Sequence, residues 1–165
     1  MPVPDFVLRL REKIGTDPLW LAGVTAVVLD DAGGNVLLIR RSDTGEWAPI
    51  TGIIDPGEQP AVAAAREALE EADVVIRVER LVAVDVTAPR LYENGDLAQY
   101  LDINFVCRYL SGEPRPADGE ALEARWFPLD ALPPMSPEFA SRIQHALASG
   151  DPYFSIADSS SGLVT

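Results

Sequence analysis

Residues 52–74 read Gly52-Ile-Ile-Asp-Pro-Gly-Glu58-Gln-Pro-Ala-Val-Ala-Ala-Ala-Arg66-Glu67-Ala-Leu-Glu70-Glu71-Ala-Asp73-Val74. The run from Ala61 to Ala72 has high helix propensity and no internal breaker, so it predicts a helix. At 100° per residue, Glu67, Glu70 and Glu71 fall within an arc of about 100° on one face. Val62, Ala65, Leu69 and Ala72 share the opposite face. The expectation is a helix that packs those four residues on a sheet and holds three carboxylates outward. Like charges at this spacing destabilise a helix by about 0.2–0.5 kcal/mol per pair. A divalent cation with oxygen ligands would turn that repulsion into a binding site. A solvated acidic face is the other reading.

The chain on either side supplies a sheet. VTAVVLD (24–30) and VLLIRR (36–41) are β-branched runs joined by the turn DAGGN, and they predict a hairpin. Residues 42–60, rich in Gly, Pro, Asp and Thr, read as a structured loop. VVIRVERLVAVDV (74–86), AQYLDINFVCRYL (98–110) and LEARWFPL (122–129) predict further strands, with Asn94-Gly95 turning the chain. Helical spacing recurs at Phe6, Val7, Leu10 and Ile14. It recurs again after Ser136, an N-cap candidate followed by Pro137. The element order predicts an α/β fold, a mixed β-sheet flanked by helices. Residues 1–20 read as an N-terminal helical extension, 21–150 as the main domain and 151–165 as a flexible tail.

The 165 residues carry 26 acidic and 13 basic side chains, a net charge of −13. A pI near 4.3 argues against a polymer of nucleic acid as partner, since phosphate binding needs clustered cations. The single cysteine, Cys107, excludes an internal disulfide and a Cys-built zinc site. No stretch approaches the roughly 18 apolar residues that cross a bilayer. The N-terminal MPVPDFVLRLREKIG lacks the pattern of a secretion signal, so the expectation is a cytoplasmic protein without membrane contact.

The stretch from Gly52 to Val74 resembles the Nudix box, G-x5-E-x7-R-E-U-x-E-E-x-G-U, where U is a bulky apolar residue. It matches at Gly52, Glu58, Arg66, Glu67, Glu70, Glu71 and Val74. Six fixed matches would arise by chance in a chain this long with a probability on the order of 10⁻⁵. Ala68 stands where the pattern has a larger apolar residue, and Asp73 where it has glycine. The resemblance implies a Nudix-type α/β/α sandwich and a Mg²⁺- or Mn²⁺-dependent hydrolase of nucleoside diphosphate derivatives. Glu67, Glu70 and Glu71 would hold metal, together with a backbone carbonyl near Gly52. Arg66 would pair with Glu58 and hold the loop to the helix. The proton acceptor would be a box glutamate, Glu67 or Glu70 among them, or Glu120, which otherwise reads as an ordinary charged turn residue.

Several residues outside the box could contact a nucleotide. Arg40 and Arg41 suit phosphate contact or a solvated strand end. Trp47 suits stacking on a base or a place in the core. Tyr92 and Tyr100 flank the ENGD turn. By family rules Pro89 points to ADP-ribose and Tyr92 to dinucleoside polyphosphates. An N-terminal extension, which in ADP-ribose-cleaving relatives often supports a homodimer, tips the reading to ADP-ribose. Nucleoside triphosphates, dinucleoside polyphosphates and a non-catalytic nucleotide-binding module are the alternatives.

Overall fold

The computed structural model describes residues 3–92, 94–117, 119, 121–158 and 162–163. Its main sheet has eight strands, with the central order β3 (Trp47–Ala48), β2 (Asn35–Arg41), β1 (Leu19–Leu29), β7 (Leu97–Gly112), β5 (Val74–Val86). β1 runs parallel to β7 along its whole length, and β5 lies antiparallel on the far side of β7. On its other flank β1 is shared: Val28 and Leu29 pair with β2, whereas residues 23–26 pair with β4 (Ile50–Ile53). β6 (Arg90–Leu91) joins β7 and β8 (Ala121–Pro128) joins β2. The predicted loop over 42–60 therefore contains two short strands, and the segment leading into Val24 is already strand from Leu19.

Alternation along β1 explains why its apolar run is continuous, because both faces of the sheet are covered. Val24, Ala26 and Val28 face helix α2 (Pro60–Ala72) and its Ala63, Ala64, Ala68 and Ala72. Val27 and Leu29 face helix α3 (Pro137–Leu147) through Ile143 and Ala146. Leu19 and Leu21, of the same parity, carry helix α1 (Asp5–Ile14) through Val7. α3 starts as expected, with the Ser136 hydroxyl accepting from the Phe139 N–H and Pro137 at its first position.

α2 turns a different face to the sheet from the one its sequence suggests. Val62 and Leu69 are 58% and 51% exposed, whereas Glu67 and Glu71 are 0% and 5% exposed. The expectation of an apolar Val62/Leu69 face with carboxylates outward is therefore reversed for these residues. Alanine is the reason: small side chains at 63, 64, 68 and 72 let the helix sit close to the sheet. A larger residue in place of Ala68, which is fully buried, would overfill that contact.

The C-terminus of α2 absorbs the Asp73 departure. Asp73 takes the left-handed conformation (φ 55°, ψ 38°) that glycine would adopt without strain. Its N–H bonds to the Leu69 carbonyl, and its carboxylate receives Arg115 at 2.8 Å. The backbone N–H groups of Arg115 and Ala117 donate to Ala72 and Glu71, capping the last carbonyls of the helix. The expected loose tail over 151–165 is tied down at its start. Tyr153 bonds with Val82 and Val84 of β5, and its ring stacks on His145 at 4.2 Å.

The left-handed turn costs a non-glycine residue about 1–2 kcal/mol, and the half-exposed Arg115 pair returns less than about 1 kcal/mol. Asp73→Gly should therefore raise stability by up to about 1 kcal/mol in urea unfolding, and Asp73→Val should lower it by about 1–2 kcal/mol. A glycine variant less stable than the parent would show that the Arg115 pair outweighs the strain.

Candidate functional site

The loop between β4 and α2 is fastened to the helix by Arg66. Its Nε and Nη2 donate to the two oxygens of Glu58 at 2.9 and 2.8 Å, the bidentate geometry that suits arginine and carboxylate. Nη2 also donates to the Ile53 carbonyl at 3.1 Å, and Nη1 to Glu67 at 2.8 Å and Glu70 at 3.0 Å. All five guanidinium protons are used. Glu58 in turn accepts the Asp55 N–H at 3.1 Å. Arg66 holds the Glu58 carboxyl below its ordinary range, so the tie persists into acid.

Glu67 is held differently. Burial pushes its carboxyl up to about 7, against the pull of Arg66. One oxygen takes the Arg66 proton; the other, Oε2, is buried and has no hydrogen-bond partner among the described residues. This carboxylate packs directly on Gly52, where an added Cβ would stand 2.1 Å from it. Gly52 is therefore needed for space rather than for an unusual backbone conformation.

Glu71, one turn further along, borders a cavity of about 400 Å³ together with Thr51, Gly52 and Arg41. The cavity continues past Tyr92 and Tyr100, whose hydroxyls bond at 2.8 Å, to Asp102, Arg142 and α1. Its size lies within the usual range for a small-molecule site. Every arginine on its wall is already paired. Arg11 lies 3.1 Å from Asp96, Arg41 2.6 Å from Asp43, Arg90 3.0 Å from Glu138, and Arg142 2.9 Å from Asp102.

Of the residues singled out from the sequence, Gly52, Glu71, Arg41, Tyr92 and Tyr100 line this cavity. Glu67 lies beneath Gly52, and Glu70 is half-exposed with Arg66 on one oxygen. No three acidic, histidine or cysteine side chains among the described residues converge closely enough to hold an ion by themselves. Arg40 and Trp47 do not line the cavity. Arg40 is bound by Glu123 and the Gly45 carbonyl, and Trp47 packs edge-on against Phe127 at 4.7 Å. The core placement is the one realised for Trp47, since its face of β3 meets the α3 side of the sheet. Glu120 lies outside the described residues. Cys107 is buried and its thiol is pushed up to about 12, which removes it as a nucleophile.

Sequence reading missed Arg90, Asp102 and Arg142. A signal was present: Asp102 interrupts the apolar run of β7, and a charge in a buried strand requires a partner. That partner is Arg142 of α3, joined by the Thr25 hydroxyl at 3.0–3.1 Å. It lies 40 residues away in sequence, which no local pattern could reveal.

The NUDIX domain model matches residues 20–148. The chain belongs to the NUDIX family. It is 33% identical over 111 residues to the NAD-capped RNA hydrolase NudC of Pseudomonas aeruginosa, covering 66% of this chain and 37% of that protein. The chain thus spans little more than a third of the curated relatives it matches first. A MutT-like protein of Streptomyces ambofaciens is 29% identical over 143 residues, covering 86% of both chains. Among solved structures, an ADP-ribose pyrophosphatase from Streptococcus suis aligns with a TM-score of 0.60 at 22% identity, over 81% of this chain and 96% of that one. That likeness shows the shared Nudix fold, a mixed sheet between helices. Proteins of the family generally use divalent metal ions. No helix among the described residues is long and apolar enough to cross a membrane.

Two outcomes follow from the geometry. Glu58→Gln breaks the bidentate tie and should lower stability by about 1–3 kcal/mol, read as a lower midpoint in urea. For Glu67 the folded pKa lies above the unfolded value, so the folded state binds the proton more tightly. Between about pH 4.5 and 7 the metal-free protein should therefore lose stability as pH rises. Thermal melts of Glu67→Gln across that range should show a flatter profile than the parent.

Proposed function

We propose that this NUDIX protein is a divalent-metal-dependent hydrolase. It cleaves the diphosphate linkage of a nucleoside diphosphate joined to a second group, with ADP-ribose ahead of nucleoside triphosphates and dinucleoside polyphosphates. One observation carries the reading: a box carboxylate, Glu71, stands at a cavity whose arginines are all engaged by acids. A diphosphate entering such a cavity meets no free cation among the described residues, so its charge must be balanced from solution.

The residues present fit a hard cation. Glu67 Oε2 is a buried oxygen with no hydrogen-bond donor among the described residues, and Gly52, lacking a side chain, gives the carboxylate its room. Glu67, Glu70, Glu71 and the Gly52 carbonyl would hold Mg²⁺ or Mn²⁺. Bound there, the ion would neutralise the diphosphate and lower the pKa of a water. The chain supplies the rest. Arg66 keeps the glutamates in place, and a carboxylate of Glu120, Glu67 or Glu70 accepts the water's proton. The arginines of the cavity, fixed by their acids, offer directed N–H groups for orientation rather than net charge.

ADP-ribose is favoured by Pro89 in the sequence, and one relative is named as a hydrolase of NAD-capped RNA. With 26 acids against 13 bases, the chain itself does not favour a long RNA as the remainder of the substrate.

Incubation with a nucleotide panel tests the proposal. With Mg²⁺, ADP-ribose should yield AMP and ribose 5-phosphate, and EDTA should abolish turnover. Glu70→Gln should lower kcat by at least about 10²-fold with the fold intact. Glu120→Gln should lower it by about 10²–10⁴-fold if that residue is the base, and leave it unchanged if a box glutamate is. Turnover in metal-free buffer would overturn the mechanism. Tight binding of ADP-ribose without products would favour a non-catalytic binding module.

A further inference from the structure

The NUDIX match begins at residue 20, yet the cavity bordered by Glu71 is walled at its other end by residues that precede it. Val3, Pro4, Val7 and Arg11 all line it. α1 is not a loose appendage there. Val7 is buried against Leu19, Leu21 and Ala98, and Phe6 and Ile14 pack on the same cluster. Arg11 locks the end of the helix to the sheet, donating to the Leu97 carbonyl at 3.1 Å and, through its other nitrogen, to Gly15 and Asp17. Its Nε is buried 3.1 Å from the Asp96 carboxylate, which holds it as an ion pair.

The two ends of the cavity differ in chemistry. At one stand Glu71, Asp43 and the backbone of Thr51 and Gly52. At the other the wall is Val7, Leu19, Leu21 and Ala98 beside the ring of Tyr92, with the neutralised Arg11–Asp96 pair at its edge. An apolar slot with an aromatic wall suits a flat heteroaromatic ring. The acidic end cannot take such a ring without desolvating carboxylates.

Resting on the hydrolase reading above, we propose that α1 is the specificity wall of the active cavity. It holds the nucleobase of the substrate between Val7 and Tyr92, at the end opposite the glutamates. The helix preceding the NUDIX domain then selects the ligand, as an element of the site itself.

The test is equilibrium binding, measured by calorimetry in Mg²⁺ on the full chain. The probes are the non-hydrolysable α,β-methylene analogue of ADP-ribose, AMP, and inorganic pyrophosphate, which has no base. Val7→Phe fills the slot, and should weaken the analogue and AMP at least tenfold while pyrophosphate binds as in the parent. Val3→Trp serves as the second variant. Val3 is 44% exposed, so this change obstructs the cavity from outside the core, and the same split is expected. Equal weakening of all three probes in both variants would show that α1 acts only through the fold, and unchanged binding of the analogue and AMP would show that the base lies elsewhere. Either result overturns the proposal. If the variants show this split yet the parent never hydrolyses ADP-ribose, the hydrolase reading fails while the wall stands.

Discussion

Arg66 spends all five of its guanidinium protons on three carboxylates and one carbonyl. Glu58 and Ile53 belong to the loop, and Glu67 and Glu70 to the helix, so one side chain fixes both the entry of α2 and the positions of its acids. A lysine could not do this, because its three donors diverge from a point rather than lying in a fork. The cluster sets one positive charge against three carboxyl groups, of which burial pushes Glu67 towards its neutral form. It is an incomplete neutralisation, and the deficit lies where the cavity begins.

Packing is arranged to keep that deficit in place. A buried carboxylate is costly, and Glu67 is tolerated because Arg66 compensates one oxygen. Gly52 gives the carboxylate its room, and the alanines of α2 bring the helix near enough for the contact to exist. Each of these residues is small or charged for a reason seen only in the others. The exposure of Val62 and Leu69 follows from the same choice, since a helix that buries two glutamates must turn apolar residues to water.

A second set of charges works at the far side of the cavity. Asp102, Arg142, Glu138 and Arg90 form a chain from the middle of β7 through the first turns of α3 to β6. Burial raises the Asp102 carboxyl, while Arg142 and the Thr25 hydroxyl favour its charged form. The chain ties α3 and β6 to the sheet at the point where the cavity needs a firm wall. It also leaves those arginines electrically satisfied, which throws the task of meeting phosphate charge back to the glutamate end.

Spacing revealed the box motif, the longer strands of the sheet and the capped start of α3, and the resemblance to the Nudix box implied the partnership of Arg66 with Glu58. These are local matters: propensity, alternation and cap chemistry act over a few residues, and a motif matched at fixed positions carries its internal contacts with it. The facing of α2 was not local. Periodicity separates two faces of a helix, but which one meets the sheet depends on Gly52 and the alanine contact, and a paired glutamate defeats the rule that charge turns outward. Arg40 and Trp47 likewise sit beside the box loop in sequence, yet the pairing of β2 with β3 and β8 carries them away from the cavity. α1 shows the opposite case. It lies before the matched domain in sequence and reaches the cavity because β1 and β7 run parallel, which places Leu19, Leu21 and Ala98 together as its seat. Only the tertiary structure decided that, since the contacts join residues some 80 to 90 positions apart for which no chain-local signal exists.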